Sequence, residues 1–241
     1  MRLVAFPNRR SRESFALSRS SYRILLVEAE TCILLSMLLL VASPLLKYLS
    51  VVIPFFLALP ALFPPRLPFA FLPVALAFTL AADLFFVLIS PPLPLVALSL
   101  FLVVQTLYFL FVRLNVEVAG VLRSFCARVV CWILLLPELV AGFGMDSILL
   151  LGSAYGVMLV GNLLDAVRGQ RGFFAVGMVL FSLCDLSLGV AFLLEMAFGS
   201  PLVVSLLRGA AWVFYPPSQT VIALAAEPPR EGGSRAQNII L

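Results

Sequence analysis

The feature that most constrains this chain is a pair of long apolar runs, 67–89 and 94–114, separated by a short proline-rich break. Each run has about the 20 residues that an α-helix needs to cross the hydrocarbon core of a bilayer. Because no water is present there to satisfy backbone N–H and C=O groups, such segments form helices or a closed barrel. Barrel strands alternate apolar and polar residues, whereas these runs are apolar on every face. The sequence therefore predicts membrane-spanning helices.

The composition extends this prediction to most of the chain. Of the 241 residues, 63% are hydrophobic and only 12% are charged, which is too little polar surface for a soluble domain of this size. The predicted fold is an all-α polytopic membrane bundle of about eight helices. The expected spans are 24–43, 45–63, 67–89, 94–114, 118–141, 147–167, 173–197 and 201–225. The predicted domain, 24–225, lies between a basic N-terminal segment, 1–23, and a polar tail, 226–241.

The distribution of basic residues predicts the orientation of these spans. The segment 1–23 is rich in arginine, and its only acidic residue is Glu13. Such a segment is either a transit peptide or the cytoplasmic flank of a first span, and the apolar run that follows directly favours the flank. Most other arginines also lie at the same alternating set of span ends, whereas Lys47 and Arg208 lie near the opposite ends. This asymmetry predicts an even number of spans with both termini in the cytoplasm, and the expected membrane is a bacterial plasma membrane.

Two aspartates interrupt the apolar runs. Asp83 lies inside the third expected span and Asp185 inside the seventh. A carboxylate in the hydrocarbon costs roughly 2.5–3.5 kcal/mol on insertion scales, so each aspartate is a candidate functional residue. Spans three and four carry Asp83 followed by Gln105 and Tyr108, and spans seven and eight carry Asp185 followed by a tyrosine and a glutamine. This echo predicts a parallel repeat of four plus four helices.

Other polar residues recur at helical spacing and are expected to face the interior of the bundle. The last span has a stripe at steps of four, three and four, formed by Arg208, Trp212, Tyr215 and Gln219, and the sixth span carries Tyr155, Asn162 and Asp165. Arg208 is expected either to line a polar cavity or to be the counter-ion of a buried aspartate. Asp165 is expected at the membrane boundary, paired with Arg168 or Arg171.

The residues that are missing exclude several classes of protein. The chain has no histidine, which excludes Ser-His and Cys-His hydrolases and histidine-ligated haem. The four scattered cysteines are interpreted as small hydrophobic residues, and no cluster of metal ligands is present in the sequence. No glycine-rich phosphate loop occurs either. We therefore expect no cofactor, no metal and no nucleic-acid partner.

Five short motifs, taken in order, resemble those of a known family. They are Lys47-Tyr48 near the start of the second span, Ala82-Asp83 in the third, Gln105 with Tyr108 in the fourth, Cys184-Asp185 in the seventh, and Tyr215 with Gln219 in the last. Their order and spacing are similar to those of the YhhN-like lysoplasmalogenases, a family of eight-span membrane proteins. The family has Lys-Pro, Gly-Asp, His with Tyr, Ser-Asp, and Tyr with Gln at these places. The chain departs from that pattern at Tyr48, Ala82, Gln105 and Cys184.

The resemblance implies hydrolysis of the vinyl ether bond of a lysoplasmalogen, with a fatty aldehyde and a glycerophospho-base as products. On this interpretation the catalytic residues are Asp83 and Asp185. The expected substrate-binding residues are Lys47, Gln105, Tyr108, Arg208, Tyr215 and Gln219. Because Gln105 stands where the family has a histidine, the sequence is consistent with either an altered activity or an inactive member.

Two carboxyl groups suit this chemistry independently of the family. One protonates the vinyl ether at carbon, and the other stabilises the oxocarbenium-like cation and activates water, much as in glycosidases. A small transporter would also place charges near the middle of the membrane, and a non-catalytic membrane protein would need them only for packing. The sequence leaves these alternatives open. The expected partner is a lysophospholipid, and the sequence predicts no oligomeric state.

Overall fold

A computed structural model of the chain describes residues 22, 24–31, 33, 43–63, 67, 69–113, 118–144, 146–169, 171–197 and 200–226. Within these ranges the secondary structure is helical and contains no β-strand, which confirms the predicted all-α class. The helices are α1 (24–31), α2 (Pro44–Ala58), α3 (Phe71–Asp83), α4 (Pro94–Arg113), α5 (Val118–Phe143), α6 (Ser147–Arg168), α7 (Gly172–Met196) and α8 (Pro201–Leu224). A 3-10 turn, Leu59–Ala61, extends α2, and a π-helical turn, Leu84–Leu88, extends α3.

Helices α2 to α8 coincide with the second to eighth expected spans to within a few residues at each end. Only the beginning of the first expected span is described, and its remainder, the segment 1–21 and the tail from residue 227 lie outside the described residues. Six of the described helices, α2 to α7, are long and apolar enough to cross a membrane. The protein is therefore an integral multi-pass membrane protein. Helix α8 is as long as the others, but it is more polar because it carries Arg208, two prolines and Gln219.

Local signals in the sequence set where several helices begin. Helices α2, α4 and α8 each start at a proline, whose fixed φ suits the first helical turn and whose missing N–H would be unpaired there in any case. The Ser43 side chain caps α2 by accepting a hydrogen bond from the backbone N–H of Leu46 (3.3 Å). Asp146 caps α6 in the same way through the N–H of Ile148 (3.1 Å). These caps satisfy N–H groups that a helix leaves unpaired at its start.

Six helices form a closed ring. Going round it, α2 packs on α3, α3 on α4, α4 on α6, α6 on α7, α7 on α8, and α8 returns to α2. Helix α5 stands outside the ring and packs against α6. Its outward face exposes large apolar side chains, among them Leu122, Ile133 and Leu134, as expected for a surface that contacts lipid. The ring therefore encloses an interior shielded from lipid, and polar side chains from several helices can meet there.

The contacts round the ring have the symmetry of the predicted repeat. Exchanging α2, α3 and α4 for α6, α7 and α8 turns each neighbouring pair of the ring into another neighbouring pair. Under this exchange α3 corresponds to α7, so Asp83 corresponds to Asp185. The two aspartates therefore lie on equivalent helices of the ring, α3 and α7.

The closest helix packing occurs between α7 and α8. Gly177 of α7 lies against α8 so tightly that an added Cβ would be 2.6 Å from Ile222 Cγ1, 3.1 Å from the backbone nitrogen of Ile222 and 3.2 Å from the backbone oxygen of Ser218. Small residues permit this approach of two backbones, which drives helix association within a bilayer. Gly189, on the same helix, has nothing within 4 Å of the equivalent position.

We expect Gly177→Ala to destabilise the protein, because the new methyl group would overlap both the side chain and the backbone of α8. Overpacking of this kind costs about 1–3 kcal/mol. Gly189→Ala is the matched control. It should be neutral or slightly stabilising, because alanine is about 1 kcal/mol better than glycine inside a helix. Thermal unfolding of the purified proteins in detergent measures the difference, and equal melting temperatures for the two variants would contradict the packing described here.

Candidate functional site

Asp83 lies at the end of α3 and is buried, with only 4% of its surface exposed. Its carboxylate accepts a hydrogen bond of 2.7 Å from the Tyr215 hydroxyl of α8. The π-helical turn begins at the next residue, where the backbone N–H of Ile89 reaches the carbonyl of Leu84 (3.0 Å). Single π-helical turns are rare and frequently occur at functional sites. The backbone geometry of α3 thus changes where its buried acid lies.

Asp185 lies near the middle of α7 and accepts a hydrogen bond from the Tyr155 hydroxyl of α6. Phe181, one turn before Asp185 on α7, packs against Tyr215, with ring centroids 5.8 Å apart. Because Tyr215 donates to Asp83, the two aspartates face the same interior of the ring. Within the described residues neither forms an ion pair, and each is held by a phenol.

Helix α2 contributes a cation, Lys47, to the same part of the bundle. The Lys47 ammonium group lies 4.8 Å from the centroid of the Trp212 ring, a cation–π contact that stabilises a charge with few polar neighbours. Trp212 in turn packs edge-on against Tyr215, with ring centroids 5.7 Å apart. A chain of contacts therefore leads from Lys47 through two aromatic rings to Asp83. The next residue of α2, Tyr48, is also close enough to Asp83 to interact with its charge.

Gln105 and Tyr108 of α4 are fully buried, as predicted, but neither touches an aspartate directly. The Gln105 side-chain oxygen and its backbone oxygen both accept hydrogen bonds from the Asn162 amide nitrogen, each of 2.8 Å. Tyr108 packs edge-on against Phe174, with centroids 5.4 Å apart.

Several buried polar atoms of the interior have no hydrogen-bond partner among the described residues. They are the Gln105 amide nitrogen, the Tyr108 hydroxyl, the Ser182 hydroxyl and the Gln219 side-chain oxygen. Gln219 of α8, also predicted as a site residue, is buried and donates only a long hydrogen bond to Ser218 (3.3 Å). An unpaired polar group costs about 1–3 kcal/mol when buried. These unpaired donors and acceptors can form hydrogen bonds with water or with the polar groups of a ligand.

Arg208 lies away from the aspartates. It forms an ion pair of 2.6 Å with Glu195, and both side chains are well exposed (57% and 42%). The expectation that Arg208 is the counter-ion of Asp83 or Asp185 is therefore wrong. The physical reason is its position in the first turns of α8, opposite the last turn of α7, where a long guanidinium side chain reaches the surface and an acidic partner.

The expected partners of Asp165 are also wrong. Its carboxylate is held by Arg113 of α4 (3.0 and 2.5 Å) and by Arg128 of α5 (2.6 Å), and neither Arg168 nor Arg171 pairs with it. Arg168 is exposed, whereas Arg171 donates to the Val112 carbonyl at the end of α4 (3.3 Å). Neighbouring helices bring Arg113 and Arg128 to Asp165 from two sides, and the sequence gives no sign of that contact.

Buried hydrogen bonds lead from this cluster into the interior. Arg128 donates to the Asn162 side-chain oxygen (2.6 Å), and Asn162 donates to Gln105. The chain ends there among the described residues, because the Gln105 amide nitrogen has no partner, and Tyr155 donates separately to Asp185. The sequence prediction omitted Tyr155 and Arg128 from the site. The spacing of Tyr155, Asn162 and Asp165 on α6 was the available signal, because it places all three on one helix face.

Comparison with family models, with curated proteins and with solved structures finds no match to this chain. The function therefore has to rest on the chemistry of the site itself.

Proposed function

We propose that the protein is a membrane-embedded hydrolase of the lysoplasmalogenase type, which cleaves the vinyl ether bond of a lysoplasmalogen or a related lysolipid. The observation that carries this proposal is that Asp83 of α3 and Asp185 of α7 face the same interior, inside one ring of helices. Each carboxylate is held by a tyrosine from a different helix. The resemblance of five motifs to the YhhN-like family points in the same direction.

The reaction needs an acid and a base within reach of one double bond. Two negative charges held close together in an apolar interior repel each other strongly, so we propose that the pair shares one proton. The protonated carboxyl group donates that proton to the vinyl carbon farther from the ether oxygen, and the ionised one stabilises the resulting oxocarbenium-like cation. The same carboxylate then takes a proton from the attacking water. The hemiacetal collapses to a fatty aldehyde and the free hydroxyl of the glycerophospho-base, so one water is consumed for each bond cleaved.

The remaining residues of the site take three roles on this proposal. Lys47 and Arg208 bind the phosphate of the headgroup. To do so, Arg208 leaves its ion pair with Glu195 and pairs with the phosphate instead. Tyr215 and Tyr155 orient the carboxylates. Gln105, Tyr108 and Gln219 offer unpaired buried polar atoms to the glycerol part of the substrate or to the attacking water.

A second candidate function, transport of an ion or a small polar solute, is favoured by the buried hydrogen bonds that lead from Arg128 through Asn162 to Gln105 in the interior of the ring. Chains of this kind mark proton or ion pathways in transporters, as do two-fold repeats with a site between the halves. Release of product from a defined lysolipid separates the two candidates, because a transporter leaves the lipid intact.

We further propose that both termini are cytoplasmic and that the protein resides in a bacterial plasma membrane. The support is the arginine-rich segment 1–23 and the arginines at the ends of α4 and α6 and near the start of α5.

The aspartates provide the first test. Asp83→Asn and Asp185→Asn should each lower the release of fatty aldehyde from a defined lysoplasmalogen by about 10²–10⁴-fold, because each removes an acid–base group with little change in shape. Asp146→Asn is the matched control, since asparagine caps a helix as well as aspartate and should leave the rate unchanged. Full activity in either variant would refute the role of that aspartate. If no sample releases product, and the variants instead lose the uptake of an ion or small polar solute into proteoliposomes, the transport function is the correct one.

The role of Arg208 is tested through substrate concentration. If it binds the phosphate, Arg208→Gln should raise KM more than it lowers kcat, because binding to the headgroup is the same in the ground state and the transition state. Glu195→Gln is the control, because it frees the guanidinium group and should leave KM unchanged or lower. An exposed ion pair contributes only about 0–1 kcal/mol, so both variants should fold. An unchanged KM in Arg208→Gln would exclude this residue from the binding site.

Accessibility labelling tests the orientation. In a background without native cysteines, Ser90→Cys and Gln170→Cys place single thiols after α3 and after α6. With an even number of spans and cytoplasmic termini, an impermeant reagent should label the first thiol from outside intact cells, and the second only after the cells are opened. Labelling of both thiols from the same side would contradict the proposed topology.

A further inference from the structure

An excess of positive charge is concentrated where α4 and α6 end, between these helices and the flanking α5. Asp165 is the acidic residue of this cluster, and both of its oxygens are used by Arg113 and Arg128. Arg171 adds a third guanidinium group nearby, 5.7 Å from the Phe111 ring and bonded to the Val112 carbonyl. Among the described residues, the cluster therefore holds three guanidinium groups and one carboxylate, which pairs with two of them.

Arg128 and its partner Asp165 are poorly placed to be solvated by water. The side chain of Arg128 is 7% exposed and packs over the Phe109 ring at 4.5 Å, and that of Asp165 is 10% exposed. A charge buried without a partner is strongly unfavourable, and the attraction between charges grows as water is excluded. The cluster is therefore built to accept one more anion. A phosphate group fits best, because guanidinium groups bind it through paired hydrogen bonds.

The surroundings of the cluster indicate where that phosphate comes from. Arg113 is 25% exposed at the last residue of α4, so the cluster is open at one side. The neighbouring flanks of α5 and α6 expose apolar side chains along the same stretch, namely Leu122, Phe125, Leu164 and Val167. Basic groups between membrane helices, next to an apolar wall, are typical of sites for anionic lipid headgroups.

We propose that this end of the bundle binds the phosphate group of an anionic phospholipid, in the crevice bounded by α4, α5 and α6, with the acyl chains against the exposed face of α5 and α6. The site is distinct from the Asp83–Asp185 pair. The proposal holds whether the protein is a hydrolase or a transporter.

The test measures lipid retention by delipidated protein in detergent, using native mass spectrometry with dioleoylphosphatidylglycerol and dioleoylphosphatidylcholine as probes. The natural protein should retain phosphatidylglycerol in preference to phosphatidylcholine. Arg113→Gln should weaken the binding of phosphatidylglycerol by about fivefold, the effect of one basic residue at an anionic headgroup. Asp165→Asn should strengthen it, because the same two arginines then have no competing carboxylate. A purely structural ion pair would instead give the same response in both variants.

Matched controls decide whether the cluster itself is responsible. Arg123→Gln removes an exposed arginine from the same end of α5 and should change binding much less than Arg113→Gln. Equal effects of these two variants would overturn the proposal in favour of general surface charge. Equal retention of both lipids by the natural protein would overturn it as well.

Two further measurements separate other sources of the anion. Displacement of phosphatidylglycerol by millimolar inorganic phosphate would show a site for free phosphate and overturn the lipid assignment. Glu117 follows α4 in the sequence but lies outside the described residues. If Glu117→Gln increases lipid binding as much as Asp165→Asn does, that carboxylate is the natural occupant and the proposal is wrong. If Asp165→Asn does not fold, the comparison of Arg113→Gln with Arg123→Gln carries the test.

Discussion

The interior of the helical ring depends on one constraint, which is that a polar group in the hydrocarbon region must find its partner within the protein. Asp83 and Asp185 meet this constraint through the hydroxyl groups of Tyr215 and Tyr155, each donated from another helix of the ring. A closed ring of six helices provides such partners from several sides while its outer surface stays apolar. The packing of the six helices therefore supplies the hydrogen-bond donors that both aspartates need.

Charge is separated along the axis of the bundle. The middle of the ring holds two carboxylates and no guanidinium group among the described residues, whereas the end formed by α4 and α6 holds three guanidinium groups and one carboxylate. Asn162 and Gln105, which are neutral, lie between them and are hydrogen-bonded in sequence. Because amides carry no net charge, Asn162 and Gln105 separate the two charged clusters without cancelling the charge of either.

The same geometry serves the two candidate functions for different reasons. Hydrolysis needs the aspartates close together, with space for a lipid chain and a water molecule, and the unpaired polar atoms at Gln105, Tyr108 and Gln219 are consistent with a hydrated interior. Transport needs a polar route that is continuous, and the chain through Asn162 supplies part of one. We favour hydrolysis, because two acids that face the same interior are suited to acid–base chemistry by two carboxylates.

The sequence by itself determined the spans and the two acids. Length and hydrophobicity are local properties, so the limits of α2 to α8 could be predicted to within a few residues, and a single charge in an apolar run is conspicuous. Only the tertiary structure decided the partners: Tyr155 for Asp185, Arg113 and Arg128 for Asp165, and Glu195 for Arg208. These pairings depend on the order of the helices round the ring and on the rotation of each helix about its axis. Both are set by packing between segments far apart in the chain, which the spacing of residues within one helix does not encode.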